Sequence, residues 1–196
     1  HAGFMQNSVF NDQLKIYVLG NSIFNNDDIE IYAENQNEFI TLNSLPLASN
    51  DSIRIADYKL KTSGRLDIRA TGTYLYSNAR FDTTFKYSVG LSNLSKPLQI
   101  SSRDGVYTIN LNKESFSEKS FLVTGKNSYS GRNALDLSIV HSDVYTTTPL
   151  NKELGSAAHI VFNAEDLNAS DYSIGYWNDY QWKELISYAS IDGKTI

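Results

Sequence analysis

Leu66-Asp67-Ile68-Arg69-Ala70, followed after a short break by Phe81-Asp82-Thr83-Thr84-Phe85-Lys86-Tyr87-Ser88-Val89, carries the reading on which the fold class rests. Apolar and polar residues take turns along both runs, with Thr83 in phase with the apolar positions. A strand turns successive side chains to opposite faces, whereas a helix needs apolar residues three and four apart. The period of two therefore predicts two strands, each with one face on a core and one in water.

The alternation recurs outward in both directions. It appears at Leu14, Ile16 and Val18, at Ile29 and Ile31, at Ile53 and Ile55, and again at Tyr107, Ile109 and Leu111. Leu135, Leu137 and Ile139 repeat it, as do Tyr172, Ile174 and Tyr176. The 13 Tyr and 9 Phe suit pleated surfaces. Turn chemistry separates the runs: Gly20-Asn21, Asn25-Asn26-Asp27-Asp28, Ser49-Asn50-Asp51, Ser63-Gly64, Arg103-Asp104-Gly105 and Asp192-Gly193. Roughly a dozen such runs fit two sheets packed face to face. The expected fold is all-β: an antiparallel two-sheet β-sandwich, immunoglobulin-like or jelly-roll, with little helix. A closed barrel fits the same pattern, and a parallel α/β fold is disfavoured because amphipathic helices do not alternate with the strands. Two short stretches carry helical readings, Asn112 to Lys119 and Asp179 to Tyr188. The second reads equally as a strand ending in Ile186-Ser187-Tyr188. Pro46, Pro97 and Pro149 are placed in loops.

The 196 residues are read as one domain, 1–196, with 1–12 as an N-terminal extension, a donated strand or the domain's own first strand. Net charge is −5, from 17 basic and 22 acidic side chains, which argues against a nucleic-acid partner needing a basic face. The absence of cysteine excludes disulfides, thiolate zinc sites, iron–sulfur clusters and cysteine nucleophiles. No apolar run approaches the ~18–20 residues of a membrane helix, so membrane insertion by a helix is not expected. The chain begins His1-Ala2-Gly3-Phe4, which reads as a mature secreted chain after signal-peptide removal or as an altered terminus. A surface rich in Asn, Ser, Thr and Tyr, with only 20% charged residues, favours the secreted reading.

Catalytic chemistry has thin support. His141 and His159 could serve acid–base work, but no Gly-x-Ser-x-Gly elbow presents a nucleophile. Asn25-Asn26-Asp27-Asp28 with Glu30 offers oxygen ligands without EF-hand order, and Gly193-Lys194-Thr195 lacks the earlier Gly of a phosphate loop. No metal site and no cofactor are expected. Asp57, Asp67, Asp82 and Asp136 lie in or beside strands, Asp67 and Asp136 interrupting apolar runs, and any two of the four could form the acidic dyad of a glycoside hydrolase. Aromatics are more suggestive. Tyr74 and Tyr76 share one face of a predicted strand, and Tyr172, Tyr176, Trp177, Tyr180 and Trp182 cluster near the C-terminus. Such rings either fill a core or stack on sugars and anchor interfaces. Tyr74, Tyr76, Tyr176, Trp177, Tyr180 and Trp182 are the candidate ligand-binding residues.

Three segments resemble subunits of bacterial chaperone–usher fimbriae, including tip adhesins of the colonisation-factor type. Arg80-Phe81-Asp82-Thr83-Thr84-Phe85 resembles a strand of such adhesins, and Gly131-Arg132-Asn133 resembles the opening of a later one. Leu167-Asn168-Ala169-Ser170-Asp171-Tyr172 is similar to a turn before the last strands of pilins, with Ser170 where Gly is usual. The resemblance implies an incomplete immunoglobulin-like sandwich completed by a neighbour's donated strand, a β-augmentation that satisfies an open edge. Phe4, Met5, Val9 and Phe10 would then be the assembly residues. The expected function is that of a secreted or surface-exposed adhesive or assembly protein, a fimbrial subunit or adhesin, acting without catalysis. Its partners would be other copies or other subunits of a surface assembly and a host glycan or protein receptor. The alternatives are a carbohydrate-binding module using exposed Tyr and Trp, and a glycoside hydrolase.

Overall fold

A computed structural model of the chain describes residues 2–10, 12–19, 28–35, 37–42, 44–47, 50–126, 144–148, 154–163, 173–177 and 182–196. The described strands are β1 (Ala2–Phe10), β2 (Gln13–Leu19), β3 (Glu30–Asn35), β4 (Glu38–Leu42), β5 (Ser44–Leu47), β6 (Asn50–Lys59), β7 (Gly64–Thr73) and β8 (Arg80–Leu91). They continue with β9 (Leu98–Ser101), β10 (Tyr107–Leu111), β11 (Phe121–Lys126), β12 (Tyr145–Thr148), β13 (Ala158–Phe162), β14 (Gly175–Trp177) and β15 (Trp182–Glu184). Every pairing between these strands is antiparallel. The fold is all-β and sandwich-like, as the alternation predicts.

A six-stranded sheet, ordered β12-β11-β8-β7-β3-β4, faces a four-stranded sheet, ordered β1-β2-β6-β5. Leu66, Ile68 and Ala70 of β7 and Tyr87 and Val89 of β8 pack with Leu14, Ile16 and Val18 of β2 and with Ala56 and Tyr58 of β6. The alternation of β7 and β8 thus maps directly onto one buried face. Burial raises the pKa of the Tyr87 hydroxyl far above the usual phenol value. Its ring covers Gly125, where an added Cβ would lie 2.5 Å from a ring carbon.

A third sheet, β13-β10-β9, packs on the other side of the six-stranded sheet at its β11–β12 end. Ile100, Tyr107, Ile109, Leu111, Phe116 and Leu122 form this second core. Strand β11 serves both cores: Phe121 and Val123 point into the first, Leu122 into the second. Between the layers runs a chain of hydroxyls. Thr124 Oγ1 donates to Thr146 O at 3.0 Å and lies 3.0 Å from Thr147 Oγ1, which is 3.0 Å from Tyr107 Oη. Tyr107, Tyr145 and Phe162 close the aromatic part of the core, with ring centroids 5.3 to 5.7 Å apart.

Several local expectations change in the structure. Neither helical reading holds. Asn112 to Lys119 forms turns and irregular chain, because Phe116 is drawn into the second core and the Ser115 hydroxyl meets that of Ser156 at 3.0 Å. Trp182–Glu184 is strand, paired with β14, and Leu185–Ser190 has no helix. Cross-strand pairing suits its Trp and Tyr residues better than a lone helical turn. In β6 the core face carries Ala56 and Tyr58, the opposite phase to the half-buried Ile55. The register decides this: Ala56 and Tyr58 lie opposite Ile16 and Leu14, which are buried. Pro46 belongs to β5, an edge strand, where a missing N–H costs little. Asn50 and Asp51, read as turn, begin β6. Residues 2–10 form β1, an edge strand paired with β2 and bulged between Phe4 and Val9. Leu135, Leu137 and Ile139 lie outside the described residues.

Leu122 is 3% exposed and sits between the six-stranded sheet and the third sheet. Leu122→Ala is expected to cost about 2–5 kcal/mol, measured by urea denaturation. Amide exchange in β9, β10 and β13 should rise more than in β2 and β6; equal rises would contradict the separate core.

Candidate functional site

The predicted aromatic residues that the structure describes fall on two hairpins. Tyr74 and Tyr76 do not share a strand face. They belong to the tip joining β7 to β8, because the chain reverses between Tyr74 and Ala79. Tyr74 N–H donates to Ala79 O at 2.9 Å, and Asn78 N–H donates to Tyr74 O at 3.0 Å. Asn78 takes a φ of 52°, the left-handed region that Asn tolerates and β-branched residues do not. The reversal separates the two rings. Tyr74 folds back to meet Phe81 edge-on, 5.8 Å between centroids. Leu75 and Tyr76 project into water, 50% and 83% exposed.

The stem beneath the tip is well tied. Phe81 lies over Gly72, where an added Cβ would stand 2.7 Å from the ring. Thr73 Oγ1 donates to Asp28 Oδ2 at 2.8 Å. Arg69 grips both carboxylate oxygens of Asp82 across the strand pair. That hydrogen bonding holds the Asp82 carboxyl below the usual carboxylate range. The tip is therefore an apolar and aromatic point on a braced two-stranded arm.

The second aromatic group sits on the β14–β15 hairpin. Tyr176 is 42% exposed, and Trp177 pairs with Trp182 across the strands through the backbone. Tyr180 and Tyr172 lie outside the described residues. The structure keeps Tyr74 with Tyr76 and Tyr176 with Trp177 and Trp182 as two groups on separate hairpins.

A further aromatic feature escaped the sequence reading. On the outer face of the six-stranded sheet, Phe39 of β4 stacks on Tyr32 of β3, with centroids 5.1 Å apart and planes within 20°. Phe39 is 54% exposed, and Tyr32 donates to Glu30 Oε2 at 2.5 Å. The signal was present in Glu38-Phe39-Ile40-Thr41-Leu42, but a strand this short does not reveal its outward side.

The catalytic candidates are dispersed. Asp67 is held by Arg103 at 3.0 Å, and Asp136 and His141 lie outside the described residues. His159 is exposed on β13, with its backbone opposite Asn110. Asp28 accepts from Thr73 and Glu30 from Tyr32; Asn25, Asn26 and Asp27 are outside the described residues. Asp192 accepts from the Ser190 hydroxyl at 2.6 Å and from Lys194 N–H at 3.2 Å, which ties Gly193-Lys194-Thr195 into a turn. Among the described residues no three His, Cys, Asp or Glu side chains gather in a metal-binding group, and no helix is long and apolar enough to cross a membrane. No known protein family, curated protein or solved structure matches the chain.

Because the Asp82 pKa is depressed in the folded state, its pairing with Arg69 contributes above the ordinary carboxylate pKa. The contribution fades as pH falls through the lowered folded value. Amide protection across residues 71–81 should drop on acidification below about pH 4. In Asp82→Asn it should be low already at neutral pH and change little with acid. Identical pH profiles for the two proteins would show that the pair does not brace the arm.

Proposed function

We propose that the chain is a non-catalytic adhesive protein acting outside the cell, and that the β7–β8 tip is its contact point. The observation carrying this reading is the exposure of Leu75 and Tyr76 at the end of the longest hairpin. Polar turn residues would cost nothing in water there, whereas a Leu and a Tyr forgo burial unless a partner covers them. Tyr contributes a rigid ring with a polar end, the kind of side chain that anchors interfaces. The bracing by Arg69, Asp82 and Phe81 lowers the ordering cost of contact, as preorganisation does. The all-β fold, the surface rich in Asn, Ser, Thr and Tyr and the resemblance to fimbrial adhesins support the same reading.

The assembly role implied by that resemblance asks β1 to leave β2 and complete a neighbour's sheet. Its edge position supports this, since among the described strands it pairs only with β2. A second reading, carbohydrate binding, is favoured by one observation: the exposed Phe39 ring stacked on Tyr32 offers a flat apolar platform beside Glu30 and Arg69.

Beads coated with the chain, presented to cultured epithelial cells, provide the test. Replacing Leu75 and Tyr76 together by Ser should reduce bead retention at least tenfold. The melting profile should not move, because both side chains are exposed. Full retention by the double variant would overturn the tip reading. Loss of retention in Phe39→Ser alone would move the contact to the sheet face.

A further inference from the structure

A cluster of exposed apolar side chains follows β15 and is used by neither reading above. Ile186 and Tyr188 are 89% and 82% exposed, and Ile191 is fully exposed. Side chains of this size forgo burial in water unless a partner covers them.

The backbone explains the pattern. In the β14–β15 ladder Gly175 lies opposite Glu184, so Ile174 comes next to Leu185. Leu185 N–H donates to Ile174 O at 2.8 Å, which carries the hairpin one step further. There the ladder stops, because the Ser187 hydroxyl takes the next place. It accepts from Ile174 N–H at 3.0 Å and donates to Leu185 O at 2.9 Å. Leu185 and Ser187 are thereby half-buried on the Ile174 side, and alternation leaves Ile186 and Tyr188 to water. Among the described residues no backbone group pairs with Ile186, Ser187, Tyr188 or Ala189. The segment is not a loose tail. Ser190 N–H donates to Thr195 O at 2.8 Å, and Ile196 exchanges backbone bonds of 3.0 and 2.8 Å with Phe162 of β13. A stretch that alternates like a strand, is held at both ends and lacks backbone partners is an open edge suited to strand addition.

We propose that residues 184–190 pair with the same residues of a second copy of the chain, antiparallel and centred on Ser187. The order of the segment itself argues for this partner. In that register Ile186 of each copy meets Tyr188 of the other, Leu185 meets Ala189 and Glu184 meets Ser190. Aromatic and β-branched residues favour each other across strands, and no like charges meet. Centring on Ile186 sets Glu184 against Tyr188, and centring on Tyr188 sets it against Asp192. The contact is two-fold and closes at two copies, whereas donation of β1 would chain copies head to tail. It engages only a short edge, so it is a transient contact, smaller than a stable interface.

Sedimentation of the full chain tests this, and its mean mass should rise with concentration toward twice the monomer value. Ile186→Lys combined with Tyr188→Lys sets Lys against Lys and should hold the mass at the monomer value. The melting profile should not move, because both positions are exposed. The chain has no cysteine, so introduced thiols report the register directly. Directly opposite positions lie within disulfide reach and diagonal ones do not. With diamide as oxidant, mixed Ile186→Cys and Tyr188→Cys chains should cross-link roughly tenfold faster than either variant alone. The Leu75→Ser, Tyr76→Ser double variant should dimerise like the unaltered protein, which separates this contact from the tip. A monomer at every concentration would overturn the proposal and leave the segment to a different protein. It is equally overturned if either Cys variant alone cross-links as fast as the mixture, if the double Lys variant dimerises normally, or if the tip variant does not dimerise.

Discussion

Phe121, Leu122 and Val123 send their side chains alternately into two separate cores, and from Phe121 to Gly125 no face of β11 is left for water. Most strands of an antiparallel sandwich bury one face and hydrate the other. A strand buried on both faces must instead be apolar or internally satisfied at every position. Thr124 meets this requirement through its bonds to Thr146 and Thr147. The two apolar cores meet at this strand, so the four-stranded layer and the three-stranded layer are coupled through one short segment. The third sheet covers the six-stranded sheet only at the β11–β12 end. Among the described residues the third sheet leaves the outer faces of β3 and β4 uncovered, only Arg103 reaches β7 at Asp67, and a step forms where β9 meets β8.

The exposed tip and the Phe39 ring follow from that incomplete coverage. The β7–β8 arm runs from the step at one end to a free tip at the other. At the step, Gly90 allows the close approach of Ile100; at the tip, Asn78 allows the reversal that lifts Tyr76 away from Tyr74. Between them, outward-facing charges pair across strands instead of gathering. Arg69 holds Asp82, and Arg103 holds Asp67. The exposed Arg69–Asp82 pair adds little to global stability, whereas Arg103 and Asp67 are largely covered.

Legibility in the sequence varied with how local the deciding interaction is. Alternation at Leu66–Ala70 and Phe81–Val89 gives strands and their buried faces, because neighbouring positions and a core suffice to produce it. The same reading misassigns the phase of β6, where the partner strand's register outweighs the larger Ile side chains. It also passes over Phe121-Leu122-Val123, which does not alternate because both its faces are buried. The aromatic candidates were chosen by residue type, and that choice finds the tip but not the fate of its two rings. Phe39 lies in a recognisable alternation, Glu38–Leu42, but nothing local distinguishes an exposed Phe from a buried one.

The amino-acid sequence by itself determined the all-β class, the positions of about half of the described strands and the absence of cysteine chemistry, since these depend on side-chain alternation and composition alone. Only the tertiary structure decided that a third sheet backs β11, that the Tyr74–Ala79 reversal parts two neighbouring tyrosines, and that Ile100 of β9 closes onto Gly90. Each of these depends on which distant strands meet. Alternation assigns a residue to a face, but pairing and layer packing choose what that face touches.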